Sequence, residues 1–379
     1  MIRTSNNTGY FIEKYDIDFP AGAESVALAD TIMQKGRPAT AGSKILEGFI
    51  SPLDATVVTK LEEAGFCIAG RTMVDEFGAA GLFTYFFDDY AHDAVKNNAA
   101  KFALCNDYTG AIGRYAAGDD LYYIHPTYGS VSRYGLIPSV CSMDQIGVIS
   151  KTYQDGFRLL SVISGYDPKD GAMLEFSTTP GARSSKLRLG IPTNVLIKCM
   201  GFVSGGISDI DRGFDPVMFN LEYFGLYAQV MRILCCAELC GNISRYDGVK
   251  FGYRAKSYSN LRKLYTKSRT KGLGMEIKLA ALIGAMVLSQ EHYTRYYDKA
   301  MRIRRLIKES LRFDEYDLIM MPVPHGVPIS RILEVTALPR LCGLPAVTIP
   351  YKGCEVTLVA DAGREDVLFS ALETIAAQG

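Results

Sequence analysis

Between residues 26 and 70 the chain reads strand, helix, strand, and that alternation restricts the fold more than any other feature. Residues 26–30 (Val-Ala-Leu-Ala-Asp) and 66–70 (Phe-Cys-Ile-Ala-Gly) are short apolar runs ended by turn residues, as buried strands are. Residues 52–65 form an amphipathic pattern with Pro52 and Asp54 in the first turn and Gly65 as the stop, which predicts a helix. Strands alternating with helices define an α/β protein. The same punctuation recurs. Residues 153–164 predict a helix closed by Gly165, and residues 275–311 carry helical periodicity with a basic end at Arg302, Arg304, Arg305 and Lys308. Residues 318–321, 346–349 and 356–360 read as strands, and 365–377 as a final helix. The 36 glycines are spread along the chain, which suits many short connections rather than linkers.

The 379 residues are 48% hydrophobic, ample for one large core or two smaller ones. Forty-one basic residues balance forty-one acidic ones, so total charge gives no steering toward nucleic acid or an anionic membrane. Nine cysteines include no C-x-x-C pair, and the first ten residues are polar, without a secretory apolar stretch. The expectation is reduced thiols in a cytoplasmic protein. The longest apolar runs, such as 279–288, fall short of the ~20 residues of a membrane span. Residues 234–240 (Leu-Cys-Cys-Ala-Glu-Leu-Cys) could suggest a metal site, but no histidine is near. They read as small hydrophobes on a buried helix, and no metal or cofactor is expected.

Residues 101–114, Lys-Phe-Ala-Leu-Cys-Asn-Asp-Tyr-Thr-Gly-Ala-Ile-Gly-Arg, carry the functional question. With residues 40–49, 54–58, 126–135 (Pro-Thr-Tyr-Gly-Ser-Val-Ser-Arg-Tyr-Gly), 142–147 (Ser-Met-Asp-Gln-Ile-Gly), 245–252 (Arg-Tyr-Asp-Gly-Val-Lys-Phe-Gly) and 342–350, they occur in the order found in one family. The chain resembles the amidase-signature family, and within it the A subunits of tRNA-dependent glutamine amidotransferases. The resemblance implies a mixed β-sheet core flanked by helices, in one shortened domain over residues 26–379 after an N-terminal segment, 1–25. The family's N-terminal helices are expected to be missing, and residues 170–191 to be shortened.

The family chemistry is acyl transfer by a Lys–Ser–Ser triad. A neutral lysine acts through a bridging serine on the nucleophilic serine, beside an oxyanion site of backbone amides. Matched without gaps, the lysine falls on Ala29, before Lys35-Gly36. The glycine–serine loop that carries the bridging serine has no counterpart, and its position falls near Phe87. The nucleophile falls on Ala111. The resemblance therefore implies a triad lost at all three positions, and a non-catalytic scaffolding or binding subunit. Its expected partner is a B- or C-type amidotransferase subunit or an A-type paralogue, in the context of translation. The alternative is an active amidase or glutaminase with a relocated nucleophile, such as Cys105, supplying ammonia for transamidation.

Substrate-binding remnants are expected at Arg304, the family's carboxylate-gripping arginine, and at Tyr246, Asp107 and Gly110. Phe251 replaces a second tyrosine, and the acidic partner of the substrate amine is out of register at Leu333-Glu334. Cys105 reads as a buried structural cysteine, His125 as replacing a surface or semi-buried lysine, and His92-Asp93 as a solvated loop pair. Residues 254–271 are basic with tyrosines interleaved. They read as a surface facing a partner protein or solvent, with direct RNA contact the lesser alternative.

Overall fold

The computed structural model describes residues 9–15, 23–79, 81–83, 90–174, 186–199, 210–323 and 329–378. Among these residues, eleven strands form one mixed sheet: β1 (Phe11–Lys14), β2 (Ser25–Ala29), β3 (Cys67–Thr72), β4 (Phe102–Asn106), β5 (Tyr122–His125), β6 (Ile146–Ser150), β7 (Arg188–Pro192), β8 (Asp215–Phe219), β9 (Leu318–Val323), β10 (Ala346–Tyr351) and β11 (Cys354–Ala360). Their order is β1-β3-β2-β4-β6-β5-β10-β11-β9-β7-β8. Parallel pairs β2/β3, β2/β4, β7/β8 and β7/β9 sit beside antiparallel ones such as β4/β6 and β10/β11. β1, from the segment expected to precede the domain, pairs antiparallel with β3.

The two-residue period of a strand sorts side chains to opposite faces. Val26, Leu28, Phe102 and Leu104 point to one face, packing with α1 (Thr56–Glu63), α4 (Tyr153–Ile163) and α11 (Glu365–Ala376). Ala27, Ala29, Ala103 and Cys105 point to the other, under α2 (Ala91–Lys96) and α3 (Ala111–Gly118). The small side chains on this second face let α2 and α3 lie close to the sheet.

α5 (Thr193–Cys199) follows β7, and a layer of α6 (Tyr227–Ile243), α7 (Leu261–Gly272), α8 (Met275–Val287), α9 (Lys299–Glu309) and α10 (Ile329–Cys342) completes the architecture. The long helical period expected over 275–311 is realised as α8 and α9, joined by a π-turn at Thr294–Asp298. Gly284 of α8 lies against the Cys236 carbonyl of α6, where a methyl group would not fit. Cys235 and Cys236 are buried on α6, and burial raises both thiols, Cys236 to about 12. Leu234, Cys235, Cys236 and Leu239 belong to the core, as small hydrophobes on a buried helix, while Cys240 is half-buried, and all nine cysteines are free thiols. Among the described residues one stretch, Phe224–Ile243, is long and apolar enough to cross a membrane, and its most apolar part is more than half buried inside the protein.

Candidate functional site

The site forms where β4 ends and turns into α3. Gly110, in the left-handed region at φ +83°, leads directly into the helix at Ala111. A Cβ at Gly110 would overlap Thr336 of α10, so glycine is required both for the turn and for the approach of α10. Asp107 caps the helix. Its Oδ1 accepts from the Gly110 N–H at 2.8 Å and its Oδ2 from the Gly113 N–H at 2.9 Å. A carboxylate here complements the positive end of the helix. Two of the amides facing this end are therefore occupied by the chain's own anion.

α10 clamps the turn from above. Thr336 Oγ1 donates to the Thr109 carbonyl at 2.7 Å. Arg340 donates through Nε to the Asp107 carbonyl and through Nη2 to Asp107 Oδ2, each at 3.2 Å. Neither Thr336 nor Arg340 was anticipated from sequence. The signal available was a lone arginine within the apolar run Ala337-Leu-Pro-Arg-Leu-Cys342, since a charge in a buried run requires a partner.

Ala111, the first residue of α3, is 5% exposed. Its methyl would lie 3.2 Å from a Cβ placed on Gly81, so Gly81 lies against it. The neighbouring hydroxyl of Thr109 turns back on the helix and accepts a long 3.4 Å bond from the Ala111 N–H. Ala29, the last residue of β2, pairs with Thr72 and is buried among Ala27, Ala103, Cys105, Ile112 and Ala116. Phe87 lies outside the described residues. The next residue after Ala29 is polar and buried. Asp30 Oδ1 accepts from Arg71 Nη2 at 2.7 Å, Asp30 Oδ2 from the Thr40 N–H at 3.0 Å, and Arg71 Nη1 reaches the Ile32 carbonyl at 2.9 Å.

Arg304 projects from α9 into the chain itself. Its Nε donates to the Leu341 carbonyl at 2.6 Å, Nη1 to Ser142 Oγ at 2.7 Å and Nη2 to the Ser142 carbonyl at 2.9 Å. Glu238 of α6 accepts from the Ser142 N–H at 2.8 Å and from its hydroxyl at 2.5 Å. Three of the guanidinium's five donors are thus directed at backbone or side-chain oxygens of the protein. Tyr246 is stacked on Phe77 at 5.5 Å and edge-on to Phe251 at 6.2 Å, and burial raises its phenol. Arg304 and Asp107 are brought to one helix, holding the adjacent Leu341 and Arg340 of α10. Glu334 is paired with Arg331, one turn away on α10, at 2.5 Å.

Two expectations are corrected. His125 ends β5 at 1% exposure, neither surface nor semi-buried. Burial, with Arg340 nearby, holds its imidazole well below the usual range, and its Nδ1 has no hydrogen-bond partner among the described residues. His92 is likewise buried on α2 rather than in a solvated loop, because its ring packs over Tyr115 of α3 at 6.0 Å. Its Nε2 lies 3.5 Å from Asp119 and 3.9 Å from Asp93, and burial lowers its pKa. These three could in principle ligate a cation, but Lys96 already neutralises Asp119 at 2.6 Å. Cys105 is fully buried, as expected.

A mixed sheet flanked on both faces by helices, with a helix opening on an Asp-x-x-Gly turn beneath a second helix, defines an amidase-type α/β protein. The amidase family model matches residues 25–84 and 94–350, and the chain belongs to the amidase-signature family. It is similar to the A subunit of glutamyl-tRNA(Gln) amidotransferase from Trichodesmium erythraeum, 33% identical over 91% of this chain and 82% of that one. It is also similar to the corresponding protein of Lachnoclostridium phytofermentans, 34% identical over 88% and 76%. Among solved structures it superposes on the A subunit of the Thermotoga maritima amidotransferase with TM-score 0.73, at 23% identity, over 95% of this chain and 85% of that one. The structure of 6-aminohexanoate cyclic dimer hydrolase gives TM-score 0.74 at 17% identity, over 93% and 84%.

Proposed function

We propose that this chain is a catalytically silent relative of the amidotransferase A subunit, acting as a scaffolding or binding subunit. Ala29, Phe87 and Ala111 stand at the positions of the family's lysine, bridging serine and nucleophile. The observation that carries the reading is Ala111. It heads α3, where the family places its attacking hydroxyl, and offers only a methyl group there. A methyl cannot attack a carbonyl, and Ala29, in an apolar cluster, offers no base. Arg304, Tyr246, Asp107 and Gly110 persist and now serve packing and bracing. Asp107 caps α3 and pairs with Arg340, while Arg304 braces Ser142.

The partner is a B- or C-type amidotransferase subunit or a catalytically active A-type paralogue, met in the cytoplasm and in the service of translation. Defined co-expression with each tests this. A stable complex on size exclusion supports the reading, and a solitary chain in every combination overturns it. The rival, an amidase using Cys105, has little physical support, because that thiol is fully buried beneath α3.

A further inference from the structure

The inner face of α8 packs on α6, while its outer face is apolar and uncovered. Met275, Leu279, Leu282 and Met286 are 80%, 41%, 71% and 43% exposed. Their spacing of four, three and four residues places all four on one narrow stripe, the pattern of a helix that packs against another helix. Scattered exposed apolar residues are ordinary, but a contiguous stripe marks an interaction surface. α7 stands directly before α8 and is tied to it by Lys278 Nζ, which donates to the Thr270 carbonyl at 2.7 Å. α7 carries its own exposed apolar pair, Leu261 and Tyr265, one turn apart.

The charge around this stripe has one sign. From Gly248 to Met275 the chain holds eight basic residues and no acidic one. Of these, Lys250, Arg254, Lys256, Arg262, Lys263, Lys267 and Lys271 are exposed. None makes an ion pair with another described residue, whereas Arg302 and Arg305 of α9 are paired with Asp298 and Glu309. The only charged residues within α8 are Glu276 and Lys278.

We propose that the α7–α8 face docks an amphipathic helix of a partner protein, one with a leucine-type apolar stripe flanked by glutamate or aspartate. The stripe supplies contact area, and the basic flank selects for an acidic rim and speeds encounter. A second copy of this chain would present the same positive flank, and so is the poorer occupant. The inference rests on the scaffolding reading only in assuming an assembly. It names the surface and the partner's chemistry, which that reading leaves open.

Two synthetic helical peptides, identical in their leucine stripe but flanked by glutamate in one and lysine in the other, test it by fluorescence anisotropy on the full chain. The glutamate peptide is expected to bind at least about tenfold tighter at low salt, with the gap closing as salt rises. Leu282→Glu removes binding with Tm unchanged, since that side chain is mostly solvated. The double variant Lys263→Glu, Lys267→Glu narrows the preference, since the other basic residues of the flank remain. Equal binding of both peptides, or binding indifferent to Leu282→Glu, overturns the proposal. So does a dimer in light scattering that Leu282→Glu converts to monomer, since a second copy would then be the occupant. Single-stranded poly(U) that binds, and is lost in the lysine variant but kept in Leu282→Glu, assigns the face to nucleic acid and likewise overturns it. None of these readouts depends on ammonia release, so the surface and the loss of catalysis can fail separately.

Discussion

Arg340 of α10 and Asp107 of the β4–α3 turn form an ion pair at 3.2 Å, with side chains only 2% and 1% exposed. Asp107 also caps α3, and Arg340 also holds the Asp107 carbonyl, so one contact ties α10, the turn and the helix together. Removing one partner of a buried pair leaves the other charge uncompensated, at a typical cost of about 3–5 kcal/mol. Arg340→Ala is expected to lose that much in denaturant unfolding. A loss below ~1 kcal/mol would show that the clamp contributes little.

Gly110→Ala combines a left-handed backbone with an overlap at Thr336. The backbone conformation alone costs about 1–2 kcal/mol for a residue with a Cβ. The expected total exceeds that, and Thr336→Gly, which removes the Cβ, Oγ1 and Cγ2 that the new methyl would meet at 2.4, 2.8 and 2.9 Å, recovers part of it. If Gly110→Ala cost as much in a Thr336→Gly background as in wild type, this packing would be contradicted.

His125 gives a pH signature. Its imidazole is held well below the usual range by burial, whereas an unfolded imidazole takes up a proton near ~6.5. Below that pH the unfolded chain binds more protons, so stability falls as pH drops. His92 acts in the same direction. Asp144 and Glu365, whose carboxyls burial raises, act in the opposite one. The difference between wild type and His125→Gln isolates the histidine. Between about pH 5 and 6.5 the variant's stability should depend less on pH, by up to ~1.4 kcal/mol per pH unit. Parallel curves would place the titrating group elsewhere.

Restoring a hydroxyl alone should not restore chemistry. Ala111→Ser places an oxygen at the head of α3, but Ala29 offers no base and Asp107 already holds the Gly110 and Gly113 amides. No ammonia release from glutamine is expected from that variant. Turnover would mean that a proton acceptor is present nearby.

The fold was legible because strand alternation and helix stops are local. Phe102 and Leu104 sort to one face of the sheet, and Ala103 and Cys105 to the other, whatever lies far away in sequence. At the head of α3 the contacts are also local, since Asp107, Gly110 and Gly113 are near neighbours in the chain. The clamp was not, because Arg340 meets Asp107 across 233 positions and nothing local predicts that meeting. His92 and His125 were misplaced for a related reason. Nothing local to either histidine shows that Tyr115 of α3 lies over the His92 ring, or that His125 is buried at the end of β5 near Arg340.

The proposed absence of nucleophilic chemistry is open to direct assay, as ammonia released from glutamine by the purified full-length chain. The expected rate for wild type is indistinguishable from that of buffer and unchanged by Cys105→Ala. Sustained turnover by wild type, lost in Cys105→Ala or in any other single nucleophile variant, would show that this protein is an amidase after all.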